Sequence, residues 1–234
     1  MPPKQGDRAP APPVELVIFD CDGVLVDSEP LAMRVLLETI ADAGLTVEPA
    51  IGYERFLGRS LATICGVLSE EFGVDLTHDA LDRMRLRLYE VFREELQPID
   101  GIHETLDALS VPYCLASSSQ LERIRLALDV TGLRERFEPR VFSATMVSRG
   151  KPAPDLFLYA AEKMTTDPAR CLVIEDSPAG VKAAKLAAMR VCGFTGGSHA
   201  RTTSHRQKLE AIGPDYLIED MRLLPELVGR VKAG

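Results

Sequence analysis

Short apolar runs alternate with longer amphipathic stretches along most of the chain. The first run, Val14 to Phe19, holds Leu16, Val17 and Ile18, and a compact block of β-branched and large apolar residues predicts a buried strand. Val111 to Ser117, Arg140 to Ser143, Cys171 to Glu175, Arg190 to Phe194 and Tyr216 to Ile218 predict further strands. Between them, Leu121 to Leu128, Ala153 to Met164, Ala179 to Ala188 and Leu223 to Val231 read as helices. Pro152 and Pro154 suit a helix start, and the alanines and lysines after Ala179 suit a helix interior. Strands that alternate with helices predict an α/β domain with a mainly parallel sheet.

The stretch from about Pro30 to Gln97 breaks this rhythm. Leu31 to Ala43, Leu61 to Phe72 and Ala80 to Leu96 are amphipathic with helical spacing, and no strand pattern lies among them. Gly44, Gly52, Gly58 and Gly73 punctuate the segment, and Pro98, Asp100 and Gly101 mark its end. The expectation is a helical insert placed directly after the first strand.

In open α/β sheets, ligands bind beyond the carboxyl ends of the strands, so polar residues at those ends carry the functional signal. Asp20 and Asp22 follow the first strand; if the chain stays extended there, residues i and i+2 share a face. Crowded carboxylates repel, so such a pair usually holds a cation or performs acid–base chemistry. Gly23 then permits a sharp turn. Ser117 and Ser118 end the second strand, Glu175 and Asp176 end a later one, and Lys151 precedes a helix. A strand followed by an Asp-Gly turn would explain the first pair alone, and helix capping would explain the serines. An EF-hand loop is excluded, because its fifth position would be Val24 and its glycine is misplaced. A receiver domain would be about half this length and would lack the insert.

Asp20-Cys21-Asp22-Gly23-Val24, then Ser117, then Lys151 in Gly-Lys-Pro-Ala-Pro-Asp, then Glu175-Asp176-Ser177 with Gly180, occur in that order. The set resembles the haloacid dehalogenase-like hydrolases, the family of aspartyl-phosphate phosphatases. The insert resembles the cap of the subgroup containing β-phosphoglucomutase and sugar-phosphate phosphatases. The resemblance implies a Rossmann-like, mainly parallel α/β core flanked by helices, with an inserted α-helical cap. The corresponding boundaries are a leader over 1–13, a core over 14–29 and 99–234, and a cap over 30–98. It also implies Asp20 as nucleophile, Asp22 as general acid and base, and Lys151 as the charge-neutralising cation. Ser117 and Ser118 would bind the phosphoryl group, and Arg59, in the cap, would face the substrate. A Mg²⁺ cofactor would be held by Asp20, Asp22 through its carbonyl, and Asp176, with Glu175 binding or supporting it.

The implied activity is hydrolysis of a small phosphorylated metabolite: a sugar, sugar acid or polyol phosphate. A β-phosphoglucomutase-type mutase is the nearest alternative; its cap histidine twelve residues after the nucleophile is here Ala32. A catalytically inactive sugar-phosphate binding protein is the alternative outside enzymes, and the intact acidic residues and lysine weigh against it. A second Asp argues against a dehalogenase, since halide leaves without a proton.

The chain has 234 residues, 46% hydrophobic and 26% charged, with net charge −8. That acidity argues against nucleic-acid or anionic-membrane partners. It also requires positive charge to be supplied locally if the substrate is an anion. Five scattered cysteines without CxxC spacing read as reduced core thiols, hence a cytoplasmic protein. A proline-rich start without an apolar block reads as a leader, and a monomer is expected. Asp27 is expected to cap or brace the hinge rather than to react. The histidines at 78, 103, 199 and 205 are expected to be surface or structural, and Arg83 to Arg87 a solvated helix face.

Overall fold

The computed structural model describes residues 12–201 and 203–232, so almost all of the expected leader lies outside the described residues. Six strands form one sheet: β1 (Leu16–Phe19), β2 (Tyr113–Ser117), β3 (Val141–Ser143), β4 (Cys171–Glu175), β5 (Arg190–Phe194) and β6 (Tyr216–Ile218). All neighbours are parallel, in the order β3-β2-β1-β4-β5-β6. The expected strands are all present, the first three starting a residue or two late. Pro112 sits just before β2, where its missing N–H costs nothing and its carbonyl accepts from Val17 N at 3.1 Å.

The chain builds outward from β1 to β3 on one side, then returns to β4 on the other. That reversal makes the carboxyl ends of β1, β2 and β4 the natural crevice of the sheet. Successive residues of β1 serve opposite layers, as the two-residue period of a strand requires. Val17 and Phe19 join a core with α6 (Leu121–Val130) and α11 (Leu224–Lys232). Leu16 and Ile18 join another with α8 (Asp155–Lys163) and α9 (Pro178–Leu186). With both faces covered, β1 is apolar at every position.

Between β1 and β2 run α1 (Glu29–Asp42), α2 (Pro49–Phe56), α3 (Leu61–Phe72) and α4 (His78–Glu95). This insert has a core of its own, formed by Met33, Leu36 and Ile40 of α1, Phe56 of α2, and Ile64 and Leu68 of α3. Leu88, Val91 and Phe92 of α4 belong instead to the main core. Arg83, Arg85 and Arg87 are exposed along α4.

Helix α2 was not expected. Gly52 reads as a breaker in sequence, yet a Cβ there would lie 3.0 Å from Leu37 Cδ2 and 3.2 Å from Met33 Sδ, so the glycine permits close packing on α1. Also unexpected are α5 (Ile102–Ala108), α7 (Arg134–Phe137) and α10 (Thr203–Ile212). The first two are too short to display a period, and α10 is too polar. Among the described residues, no helix is long and apolar enough to cross a membrane.

Candidate active site

Four strand-end segments meet around one cavity of about 600 Å³ at the carboxyl edge of the sheet. Asp20 leaves β1 in extended register, its N–H bonded to Ile174 O of β4 at 3.0 Å. The chain then folds back on itself, with Leu25 N on Cys21 O at 2.9 Å and Gly23 N on Val26 O at 2.8 Å. Gly23 has φ +77°, and a Cβ there would stand 2.1 Å from Asp176 Oδ2. Only glycine allows this turn to press against Asp176.

Lys151 is the hinge of the charge arrangement. Its side chain is 3% exposed, and Nζ donates to Asp20 Oδ1 at 2.6 Å, Glu175 Oε1 at 2.7 Å and Ala116 O at 3.1 Å. Burial alone would lower its pKa, but Asp20 and Glu175 outweigh this and raise it, so the lysine stays charged. Arg149, two residues earlier, grips Asp155 through two bonds and so closes the loop that presents Lys151.

Glu175 was expected to bind or support a metal. Its Oε2 accepts from Ser177 N at 2.7 Å and Ser177 Oγ at 2.9 Å, while Oε1 is held by Lys151. Both oxygens are thus engaged by hydrogen bonds to Lys151 and Ser177. Burial pushes Asp20 well above the ordinary carboxyl range; Lys151 opposes, while Glu175, Asp176 and Asp22 reinforce. Asp176 is raised by burial and then by Glu175.

Asp22 behaves differently. Its Oδ1 accepts from Ser28 Oγ at 2.6 Å and Arg123 Nη2 at 2.7 Å, and Oδ2 accepts from Ser119 Oγ at 2.6 Å. Burial acts to raise its pKa, but Arg123 and the two hydroxyls win, and the carboxyl sits below its usual range. The raised pKa that acid catalysis calls for is therefore not a property of this resting arrangement; Asp22 rests as an anion.

Ser117 is buried at the end of β2, and its Oγ accepts from Ser119 N at 3.1 Å. Ser143 of β3 holds the same loop by donating to Ser119 O at 2.7 Å. Ser118 is exposed and lines the cavity, as does Arg59 at the far rim beside Ser60 and Thr63.

Of the histidines expected to be surface or structural, two are buried beside the site and so are not on the surface. His199 is 3% exposed in the cavity wall, its Nε2 lying 2.8 Å from Asp176 Oδ2 without hydrogen-bond alignment. His205 Nε2 bonds Asp176 O at 2.7 Å. Burial lowers the pKa of both. Arg123 and Glu29 were also missed. Arg123 left a signal: it falls in the first turn of α6, where the helix dipole disfavours a cation, so it needs an acidic partner. Glu29 left none, since an acid in a first turn is ordinary.

The acidic groups suit a hard divalent cation. Asp20 and Asp176 are carboxylates pushed upward by burial and then by neighbouring carboxylates, with one lysine opposing in both cases. Among the described residues no three acidic, histidine or cysteine side chains form a ready cage. Mg²⁺ does not need one, because it binds through one or two carboxylates and keeps several waters.

A sequence model of the haloacid dehalogenase-like hydrolases matches residues 14–188. The 6-phosphogluconate phosphatase of Escherichia coli (strain K12) is 31% identical over 193 residues, 82% of this chain and 87% of that protein. A haloacid dehalogenase-like protein of unknown function from Agrobacterium tumefaciens str. C58 superposes with TM-score 0.84 at 36% identity, covering 93% of this chain and 98% of that one. A family hydrolase from Deinococcus radiodurans R1, solved with bound phosphate and sodium, superposes with TM-score 0.75 at 30% identity, covering 94% and 96%.

Proposed function

The chain belongs to the haloacid dehalogenase-like hydrolases, and on that footing we propose that it is a Mg²⁺-dependent phosphatase of sugar, sugar acid or polyol phosphates, acting through an aspartyl-phosphate. The observation that carries this is Asp20, held by the buried Lys151 at 2.6 Å in a cavity that also receives Ser117, Asp22 and Asp176. Oδ1 of Asp20 faces the lysine, and no hydrogen bond described engages Oδ2.

In the first step, an Asp20 carboxylate oxygen forms a bond to phosphorus while the bond from phosphorus to the leaving oxygen breaks. Asp22 delivers a proton to that oxygen, which a sugar alkoxide needs in order to leave. It must first gain this proton, which requires its contact with Arg123 to loosen, because a guanidinium can only donate. In the second step, Asp22 takes a proton from water, the water oxygen bonds phosphorus, and phosphate departs with Asp20 restored. Lys151 and Ser117, with amides of the loop after β2, hold the phosphoryl oxygens. A bound Mg²⁺ would be held by Asp20, Asp176 and the Asp22 carbonyl, and would neutralise charge between the nucleophile and the phosphoryl dianion.

The 31% identical relative is named for 6-phosphogluconate, a sugar acid phosphate, which supports this substrate class. Arg59, which lines the same cavity, would meet a distal carboxylate or hydroxyl of such a molecule. Nothing at position 32 supports the mutase, since Ala32 packs against the main core. Purified protein assayed on a phosphate-ester panel should release phosphate only with Mg²⁺, and Asp20→Asn should abolish turnover with the fold retained. Isomer formation from β-glucose 1-phosphate without free phosphate would overturn the proposal.

A further inference from the structure

Glu29 opens α1 immediately after the chain leaves the Asp22 turn, and it lines the same cavity as Asp20 and Asp22. Every other cavity carboxylate has a charged or polar group of the protein against it. Lys151 holds Asp20 and Glu175, three donors hold Asp22, and His199 lies against Asp176. Glu29 makes no hydrogen bond or ion pair among the described residues. Its partly buried carboxyl is therefore available to a ligand that enters the cavity.

Its electrostatic surroundings say which ligand. The charge it feels most is Asp22, followed by Asp176, with His199 and Arg123 opposing. Glu29 thus shares the cavity with Asp22, the group that would meet the leaving oxygen. Here a neutral hydroxyl is welcome and a second anion is not. The same wall carries another unpaired polar group: the turn at Ser198–Arg201 packs against α1, and neither ring nitrogen of the buried His199 makes a hydrogen bond among the described residues.

We infer that Glu29 is a specificity determinant that hydrogen-bonds a hydroxyl of the leaving group next to the ester, so that polyhydroxylated leaving groups are favoured and those with a second phosphate there are rejected. The inference rests on the phosphatase reading. Burial pushes the Glu29 carboxyl to about 7, so near neutral pH it can serve a hydroxyl as acceptor or as donor. A lost hydrogen bond to such a group typically lowers kcat/KM tenfold to about a hundredfold.

Two variants separate the parts of the claim. In Glu29→Ala, the ratio of kcat/KM for a hexitol phosphate to that for p-nitrophenyl phosphate should fall at least tenfold, because the aryl ester offers no hydroxyl. In Glu29→Gln, which keeps the shape and an acceptor but not the charge, most of that ratio should survive. The relative kcat/KM for a sugar bisphosphate should instead rise several-fold. Thermal midpoints near wild type would show that both variants fold, and the near-isosteric Gln keeps the test open if Ala does not. A hexitol ratio within twofold of wild type in folded Glu29→Ala, or a bisphosphate ratio within twofold of wild type in Glu29→Gln, would overturn the role of Glu29 while leaving the phosphatase intact. Wild-type protein inactive on every ester would overturn both.

Discussion

Gly180 shows how one missing methyl shapes this site. A Cβ there would stand 1.7 Å from Glu175 Oε1, the oxygen that holds Lys151. Gly180→Ala must displace Glu175, at about 1–3 kcal/mol of overpacking, and loosen the lysine with it. We expect a large loss of kcat together with a lowered thermal midpoint, measured by phosphate release and calorimetry. Arg123 offers a second test. Arg123→Met keeps an apolar stem against Phe92, whose ring the guanidinium overlies at 5.3 Å, but strips the cation from Asp22. Both side chains retain some exposure, so the cost should be ~2 kcal/mol, below that of breaking a fully buried pair. Freed from Arg123, Asp22 should hold its proton to higher pH, and the basic limb of the kcat/KM profile should move upward.

At the scale of elements, the site is a meeting of helix starts and strand ends. Ser177 caps α9 by accepting from Gly180 N at 3.0 Å while donating to Glu175, so one residue serves both the helix and the carboxylate before it. Asp27, expected to brace the hinge, does so through a distant segment: its Oδ1 accepts from Ser198 N at 3.1 Å and Ser198 Oγ at 2.8 Å. This ties the β1–α1 connection to the turn that carries His199. Asp27→Ala should therefore raise amide exchange in both 23–28 and 197–200. Faster exchange in only one of the two would show that the tie carries no coupling.

For the whole molecule, acidity and function pull in opposite directions. The net charge is −8, yet the cavity gathers Lys151, Arg123 and Arg59. These cations stand among Asp20, Asp22, Glu29, Glu175 and Asp176, so they offset acidic charge locally where an anion must enter. The same crowding sets the response to pH. Glu29 is raised from 4.5 to about 7, so between those values the folded state binds more protons than the unfolded one. Its contribution to stability is full below 4.5 and is lost as pH rises through 7. Asp22 runs the other way: its contribution is present above 3.8 and is lost as pH falls through its lowered folded value. Denaturant midpoints measured from pH 5 to pH 8 should decline less in Glu29→Gln than in wild type. Chelation should abolish turnover, and Mg²⁺ should raise the midpoint by mass action on the folded state.

The chemistry at the strand ends was legible because each group follows an apolar run whose end is visible in one dimension: Asp20 after Phe19, Ser117 after Ala116, Glu175 after Ile174. The parallel sheet and the helical insert were legible for the same reason, since burial on both faces writes continuous apolar strands and burial on one writes amphipathic helices. Arg123, Glu29, His199 and His205 were not legible as site residues. Their roles come from neighbours distant along the chain, such as Asp22 for Arg123, 101 residues away, and Asp176 for His205, 29 residues away, and spacing does not encode which distant groups share a cavity. The division of labour among the carboxylates was likewise decided by packing. Glu175 and Asp176 are adjacent in sequence, yet one is saturated by Lys151 and Ser177 while the other faces the turn at Gly23. Sequence determined which chemical groups this protein brings to its strand ends; tertiary structure decided which are occupied, which are open and which carry protons, because those properties depend on distance and burial.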